Sequence, residues 1–298
     1  MKEIVSHEQV NDIVSNAIKV TLQHGLLTRN DQLLEKAKQN AELKVKGNRI
    51  LPSGDLLYQC LDYLKNQSLP KPDKKGNHHG WPDMLTDFAH KSLLIRISDL
   101  PYQFFDAKKK QIIPLSREQV IEGTKFLHVL SCERGIKGYS CGVPQDTVAP
   151  LKAIEQYLIG YRYNINGGAT IQSVDREVER EFHHIRCIAE ERKDVNTRSL
   201  MLFSPSPMIL DSDDLYLCFQ QGVQVDAFMV GSMPMMGMTA PVDPVGAYIL
   251  ALAEVIGAAA ILHAVFPEAA AYIYPHPQAM DLMTGQMAFG TREHARSK

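Results

Sequence analysis

Several features that would assign this 298-residue chain to a common functional class are missing. Its 32 Lys and Arg residues nearly balance its 34 Asp and Glu residues, so charge gives no reason to expect binding to nucleic acid or to an anionic membrane surface. Its five cysteines form no CxxC pair, which gives no indication of a zinc knuckle or a disulfide framework. The first residues, MKEIVSHEQVND, lack the apolar core of a signal peptide. We therefore expect a cytoplasmic protein that binds neither nucleic acid nor membranes.

Several kinds of ligand site are also without support. No GxGxxG or Walker-type loop follows a predicted strand, which argues against nucleotide binding. Schiff-base chemistry needs a lysine that projects from a strand, and the predicted strands contain none. His78 and His79 are adjacent in a polar loop with no third ligand nearby, so a solvated loop is favoured over a metal site. His276 stands alone, which does not suit a metal-dependent aldolase.

The sequence does contain a repeated alternation of strand-like and helix-like segments. The predicted strands are residues 138–142, 163–169, 198–203, 226–231 and 269–274. A helical pattern follows each of the first four, which predicts an α/β fold with a parallel sheet. Alternation alone does not separate an open sheet from a closed barrel. Upstream, we predict a helical region over residues 1–90, with helical spacing in residues 1–68 and a turn at Gly47 and Asn48. A small β-hairpin is predicted within residues 91–120, with a strand-like run at residues 92–97. A helix then begins with Ser116 and Gln119 at the spacing of a capping box.

The longest apolar stretch, residues 247–266, is long enough to cross a bilayer. Glu254 lies near its middle, however, and a carboxylate is costly in lipid. The stretch also lies between two predicted strands, where a parallel sheet requires a crossover helix. We therefore interpret it as a buried helix, with Asp243 as its N-cap and Pro244 as its first residue. Glu254 is expected to pair internally or to face solvent.

Four motifs in a fixed order carry a specific resemblance. They are GMTAPVDPVGA at 237–247, AEVIGA at 253–258, YIY at 272–274 and MDLMTGQMAFGTRE at 280–293. Together they resemble the trimethylamine methyltransferase family, whose members contain or lack pyrrolysine and move methyl groups from methylated amines to a corrinoid protein. The resemblance implies a (β/α)8 TIM barrel and a methyltransferase, as in methanogenesis. It further implies that the substrate is trimethylamine or a glycine betaine-like quaternary amine, and that a partner protein carries the cobalamin-type corrinoid.

Residues 121–298 show only five of the eight units that this barrel would need. A complete barrel takes roughly 250 residues. We expect an incomplete barrel, for which the explanations are a fragment, a truncated reading frame, an amber codon that encodes pyrrolysine, or a protein that completes its sheet in some other way. An open sheet edge invites pairing, so a homo-oligomer is expected. An alternative reading is a non-catalytic remnant that retains a docking surface for the corrinoid protein.

Candidate substrate-binding residues follow from the chemistry of methyl transfer. Because the cobalt is the nucleophile, the protein has to hold a cationic amine, aim one methyl group and exclude water, and no catalytic residue can be named. Aromatic faces suit such a cation. Tyr272 and Tyr274 share one face of a predicted strand, and Phe203 occupies a similar place on an earlier strand. Core packing is the alternative for all three. Asp281 is the candidate carboxylate, with turn capping as its alternative.

The loop at residues 232–239 is unusually rich in methionine, and Met adapts to irregular apolar surfaces. Met235 is expected to line a pocket or a docking face for the corrinoid, and filling of the barrel mouth is the alternative. Gly237 is expected to form a sharp turn that lets the backbone approach a ligand. Thr239 is expected to cap this loop or to form a hydrogen bond within it. At the position of Met283, members of the family that this chain resembles commonly have a basic residue.

Overall fold

The computed structural model describes residues 6–66, 99–168, 177–189, 191, 197–219 and 224–288. The chain divides into two compact units, one formed by residues 1–81 and 196–298 and the other by residues 82–195. The pair His78–His79 and the strand-like run predicted at residues 92–97 lie outside the described residues.

The elements are named in chain order. The helices are α1 (His7–His24), α2 (Asp31–Lys38), α3 (Gly54–Asn66), α4 (Arg117–Arg134), α5 (Lys152–Tyr163), α6 (Glu179–Ala189), α7 (Asp213–Leu217) and α8 (Pro244–Val265). The strands are β1 (Leu26–Leu27), β2 (Leu43–Lys46), β3 (Arg49–Pro52), β4 (Gln103–Asp106), β5 (Gln111–Pro114), β6 (Thr197–Ser204), β7 (Gln224–Ser232), β8 (Ala270–Pro275), β9 (Met280–Asp281) and β10 (Gln286–Met287). A short 3-10 helix, Ala149–Leu151, precedes α5.

The first unit begins with three helices and a small antiparallel sheet. The helices agree with the prediction for residues 1–68, whereas the sheet, with strand order β1-β3-β2, was not predicted. Leu43 and Val45 alternate with two exposed lysines in β2, which is the period of a half-buried strand. The predicted turn is confirmed, since Gly47 and Asn48 form the two-residue connection between β2 and β3, with Gly47 at φ +57°.

Three strands of the first unit form a parallel sheet with the order β6-β7-β8. The predicted strands at residues 198–203, 226–231 and 269–274 are therefore confirmed to within a few residues. Leu202, Phe228 and Ala271 lie on the face that packs against the core containing α8. Side chains alternate along a strand, so the residues at the alternate positions of these strands, including Phe203 and Tyr274, lie on the opposite face of the sheet.

Helix α8 forms the centre of the core of this unit, which confirms the prediction of a buried helix. Asp243 caps it by accepting a hydrogen bond from the Gly246 backbone N–H at 2.7 Å, as predicted. Small residues let α1 approach closely: a Cβ on Gly257 would lie 2.8 Å from Cγ2 of Thr21, whose hydroxyl donates to the Ala253 carbonyl at 3.0 Å. By length and composition α8 is able to cross a membrane, but 67% of its most apolar window is buried in the protein.

In its described residues, the second unit contains the predicted hairpin and three helices. Strands β4 and β5 pair antiparallel, and the Asp106 carboxylate accepts hydrogen bonds from two backbone N–H groups of the turn between them. Ser116 and Gln119 form the predicted capping box at the start of α4. These signals are local in sequence, which is why they can be recognised without the structure.

Two predicted strands of this unit are wrong. Residues 138–142 form an irregular segment whose backbone is bonded by side chains: the Asp99 carboxylate accepts from the N–H groups of Tyr139 and Ser140. Residue 163 ends α5, and residues 164–167 form a turn in which Asn164 donates to the carbonyls of Gly138 and Tyr139. Because these side chains satisfy the backbone groups, no strand pairing is needed there.

The fold is thus a mixed α/β fold with a parallel sheet, as predicted. Within the described part of the chain, the parallel strands form an open three-stranded sheet and no closed barrel is present.

Candidate functional site

Three residues form a row across the carboxyl end of the parallel sheet. Phe203 of β6 pairs with Gly231 of β7, and Gly231 pairs with Tyr274 of β8. Neighbouring strands lie about 4.8 Å apart, so the Cα atoms of Phe203 and Tyr274 are about 10 Å apart. A Cβ on Gly231 would lie 2.6 Å from Cε1 of Phe203, which shows that the Phe203 ring extends over the glycine. Phe203 remains 40% exposed, so this aromatic row is accessible to a ligand.

Tyr274 is held in place by His276. The Tyr274 hydroxyl and Nδ1 of His276 share a hydrogen bond, and the two rings meet edge to face with centroids 5.1 Å apart. Burial raises the pKa of Tyr274, which keeps its hydroxyl protonated at neutral pH. Tyr272 lies on the same face but is only 6% exposed, so it is packed in the interior and does not form part of the accessible surface of the row.

The loop after β7 is closed on itself by hydrogen bonds. The Met235 carbonyl accepts from the N–H groups of Met238, Thr239 and Ala240, each at 3.0 Å. The Thr239 hydroxyl accepts from the Met235 N–H at 2.8 Å, as predicted for a residue that bonds within the loop. Gly237 has φ +83°, a conformation that favours glycine, and the Leu282 side chain lies against it. The loop is therefore a rigid turn.

The loops after β7 and β8 continue the parallel pairing beyond the strands. The His276 N–H donates to the Ser232 carbonyl and the Gln278 N–H to the Pro234 carbonyl, both at 2.8 Å. Gln278 is 1% exposed, and its side-chain oxygen is buried without a hydrogen-bond donor among the described residues.

Asp281 is the last residue of β9 and precedes the turn to β10. Its carboxylate accepts hydrogen bonds from the Met283 N–H at 2.9 Å and from the Thr284 hydroxyl at 2.8 Å. The Thr284 hydroxyl and the Met283 N–H lower the pKa of Asp281. The carboxylate thus caps its own turn on the surface, which matches the alternative given for it above, and the structure does not bring it into the aromatic row.

Glu254 of α8 holds the loops after β6 and β7 from the core side of the sheet. It is fully buried, and its carboxylate accepts hydrogen bonds from the Ser206 hydroxyl and the Met208 N–H, both at 2.8 Å, and from the Ser232 hydroxyl. Burial raises its pKa, and the three hydrogen bonds partly oppose that rise. Of the two expectations for Glu254, internal pairing is therefore confirmed and exposure to solvent is wrong.

The structure thus brings Phe203 and Tyr274 together, places Met235, Gly237 and Thr239 in the adjoining loop, and leaves Asp281 on its own turn. Sequence reasoning missed two members of the site. His276 continues the alternation from Tyr272 and Tyr274, which is a signal that could have placed it on their face. Gly231 had no sequence signal, because its importance depends on the register that puts Phe203 beside it.

The comparisons with known proteins concern the part of the chain that contains this site. No curated protein matches the chain. Residues 188–298, which include the parallel sheet, α8 and both loops, match the model of a known family, and the resemblance noted in the sequence is confirmed over these residues. That family is the trimethylamine methyltransferase (MTTB) family.

Proposed function

We propose that this protein transfers a methyl group from a small methylated amine to the cobalt of a corrinoid carried by a partner protein. The observation that carries the proposal is the row Phe203–Gly231–Tyr274, which lies at the carboxyl end of parallel strands within the segment that matches the methyltransferase family. Folds with parallel strands keep their chemistry at this end of the sheet. The complete fold proposed for such an enzyme is a (β/α)8 barrel, of which β6, β7 and β8 would be consecutive strands.

The aromatic row is suited to a cationic amine. An ammonium group is attracted to an aromatic face when it lies within about 6 Å of the ring centroid. The Phe203 ring lies over Gly231, and Tyr274 is on the next strand in the same row, so we propose that a small cation binds against the exposed part of the Phe203 ring on the side of Tyr274. Trimethylamine is protonated at neutral pH, and a glycine betaine-like amine is permanently charged, so both fit this requirement.

The reaction requires little covalent chemistry from the protein. A reduced corrinoid presented by the partner would supply the electron pair that accepts the methyl group, and the electron pair of the broken carbon–nitrogen bond would remain on nitrogen. The residues of this chain hold the amine, orient one methyl group and exclude water. The hydrogen bond between Tyr274 and His276 and the closed turn at Met235 limit the movement of this edge.

The surroundings of the row support docking of a partner that presents its corrinoid. Several large apolar side chains are exposed on the loops at this edge and on the first turn of α8, namely Met233, Met238, Val242, Val245, Leu282 and Met283. A concentration of exposed apolar groups is typical of an interaction surface. We propose that the corrinoid protein covers this surface and thereby shields the reaction from water.

Amine binding tests the proposal directly. Trimethylammonium and tetramethylammonium are titrated into the protein by isothermal calorimetry, with Phe203→Ala, Tyr274→Ala and the exposed control Tyr58→Ala. We expect the first two variants to weaken binding about tenfold, which corresponds to the loss of roughly 1–2 kcal/mol per aromatic face, and the control to bind like the unaltered protein. Equal affinity for all four proteins would contradict the proposed site.

A further inference from the structure

The hairpin formed by β4 and β5 in the second unit has apolar residues on both of its faces. Each strand contains two large apolar residues in succession, Phe104 and Phe105 in β4 and Ile112 and Ile113 in β5. Because successive side chains point to opposite faces of a sheet, each strand places one apolar residue on either face. Adjacent apolar residues of this kind are typical of strands that are covered on both sides, whereas a strand with one face in water shows alternation.

Within the described part of the chain, one face of the hairpin is covered and the other is exposed. Phe104 packs against the small core that contains Leu115 and Val120. On the opposite face Phe105 pairs with Ile112 across the two strands, and their side chains are 61% and 67% exposed. Exposed apolar residues are normally scattered singly over a protein surface, so two large ones that are neighbours on one sheet face favour an interaction surface.

The turn of the same hairpin is basic. It contains three successive lysines at residues 108–110, all of which are exposed. Among the described residues, one ion pair involves these lysines, between Lys109 and Asp106 at 4.0 Å. We define the hairpin patch as Phe105, Ile112 and the three lysines. The charges lie at the tip, which a hairpin that enters a bilayer would have to bury, so the arrangement is better suited to a protein surface.

The opposite charge is concentrated in another part of the sequence. Residues 199–291 contain eight Asp and Glu residues and no Lys or Arg. Because the whole chain has 32 basic and 34 acidic residues, the rest of the chain carries an excess of basic residues. The charges are therefore segregated along the chain, although their sum is near zero. This segregation gives the chain two kinds of surface that attract each other.

An exposed apolar pair in the acidic segment lies next to two of its carboxylates. Leu282 and Val242 both lie against Gly237, because a Cβ on this glycine would be 2.8 Å from Cδ2 of Leu282 and 3.4 Å from Cγ2 of Val242. The two side chains are 62% and 67% exposed. Asp281 immediately precedes Leu282 and is exposed, and Asp243 immediately follows Val242 and is exposed as well. These two apolar residues and two aspartates form the loop patch, which complements the hairpin patch in charge.

We propose that the hairpin patch of one chain binds the loop patch of a second copy of the chain. The apolar centres of the two patches cover each other, and the lysines of one chain face the aspartates of the other. Contact between two hairpin patches is disfavoured, because it would bring lysines against lysines. The two patches differ, so the contact is heterologous and leaves each chain with a free patch for a further copy.

A contact formed by so few residues is small, so the association is weak and reversible. It does not depend on methyl transfer and is therefore testable without a substrate. The loop patch belongs to the surface proposed above for the corrinoid protein, so a second copy of the chain and that partner compete for it.

Sedimentation velocity of the full chain over a range of protein concentrations tests this contact. We expect the average mass to rise with concentration, and we expect the rise to weaken at about 1 M salt, where the Debye length is about 3 Å. Ile112→Ser in the hairpin patch and Leu282→Ser in the loop patch should each weaken the association about tenfold. Ile188→Ser, at another exposed isoleucine of the second unit, is the matched control and should associate like the unaltered protein. Circular dichroism confirms that each variant is folded.

Two charge variants test which surfaces meet. Lys108→Glu makes the hairpin patch less basic, and Met283→Lys adds a positive charge beside the loop patch, at a side chain that is 96% exposed. We expect each variant alone to associate about tenfold more weakly than the unaltered protein. A mixture of the two variants should recover most of the lost affinity and form a 1:1 complex, because the altered hairpin of one then faces the altered loop of the other.

Four results would overturn the inference. A chain that stays monomeric at every concentration lacks the contact. Association that Ile112→Ser leaves unchanged uses another surface. If the two charge variants do not associate with each other, unlike patches do not pair. If the monomeric chain binds phosphatidylglycerol vesicles and Ile112→Ser abolishes this binding, the hairpin patch is a membrane surface instead.

Discussion

The Ser232 hydroxyl, at the end of β7, donates a hydrogen bond to the fully buried carboxylate of Glu254 in the middle of α8. The same carboxylate accepts from Ser206 and from the Met208 backbone, both in the segment after β6. A single buried side chain therefore fixes the ends of two neighbouring strands. Those ends carry Phe203 and Gly231, so the shape of the candidate site depends on a residue on the other side of the sheet.

Removal of this carboxylate is expected to be costly. Glu254→Ala would leave the Met208 N–H and two hydroxyl groups without their acceptor in a buried place, and it would also leave a cavity. We expect the free energy of unfolding, measured by urea denaturation, to fall by about 3 kcal/mol. Ser206→Ala removes only one of the three donors and should cost about 1 kcal/mol. A loss below that of the Ser206 variant would refute the anchoring role.

Glu254 also makes stability depend on pH in a defined direction. Burial raises its folded-state pKa above the ordinary 4.5, so the folded protein binds this proton more tightly than the unfolded chain. The resulting stabilisation is fully present below the unfolded-state pKa and is lost as the pH rises through the folded-state pKa. The unfolding free energy of the unaltered protein minus that of Glu254→Gln should therefore decrease with rising pH and then become constant. A difference that increases over this range would show that the pKa is lowered instead.

The effect of Gly231 on amine affinity can be measured separately from its effect on stability. Gly231→Ala would place a methyl group 2.6 Å from the Phe203 ring, and the ring can move away because it ends a flexible side chain. We expect only about 1 kcal/mol of lost stability, but a roughly tenfold weaker affinity for tetramethylammonium. Met229→Leu, one row further from the carboxyl end, is the control and should leave the affinity unchanged. Unchanged affinity in Gly231→Ala would place the amine elsewhere.

The close contact between α1 and α8 predicts a contrast between two helical glycines. A Cβ on Gly257 would lie 2.4 Å from Cδ1 of Leu26 and 2.8 Å from Cγ2 of Thr21. Gly257→Ala should therefore reduce the unfolding free energy by about 2 kcal/mol through overpacking. Gly54 in α3 has no atom within 4 Å of such a Cβ, so Gly54→Ala should be neutral or stabilising by about 0.5 kcal/mol. The thermal midpoints of the two variants should thus move apart, and equal midpoints would be inconsistent with close packing at Gly257.

Sequence reasoning succeeded where the signal was local. The Asp243–Pro244 cap, the capping box at Ser116 and the alternation that puts Tyr272 and Tyr274 on one face each depend on residues within a few positions of one another. The motifs that carried the family resemblance fall within the segment that the family model matches.

Sequence reasoning failed where distant side chains replace regular pairing. The segment at residues 138–142 is bonded by Asp99, and its residue Tyr139 also meets Asn164, 25 positions away in the sequence. Likewise, the hydrogen-bond partners of Glu254 lie 22, 46 and 48 positions away, and no pattern near Glu254 in the sequence predicts them. Only the assembled structure shows which polar groups meet.

Methyl transfer itself tests the central proposal most directly. The protein is incubated under strictly anaerobic conditions with free cob(I)alamin as the methyl acceptor, and the absorbance change of the corrinoid is followed with and without trimethylamine or glycine betaine. We predict a change to the methylated corrinoid that requires one of these amines and that falls at least tenfold in Tyr274→Ala. If no amine produces the change in folded protein, the enzyme proposal is contradicted, and the alternative of a non-catalytic docking protein for corrinoid carriers is favoured.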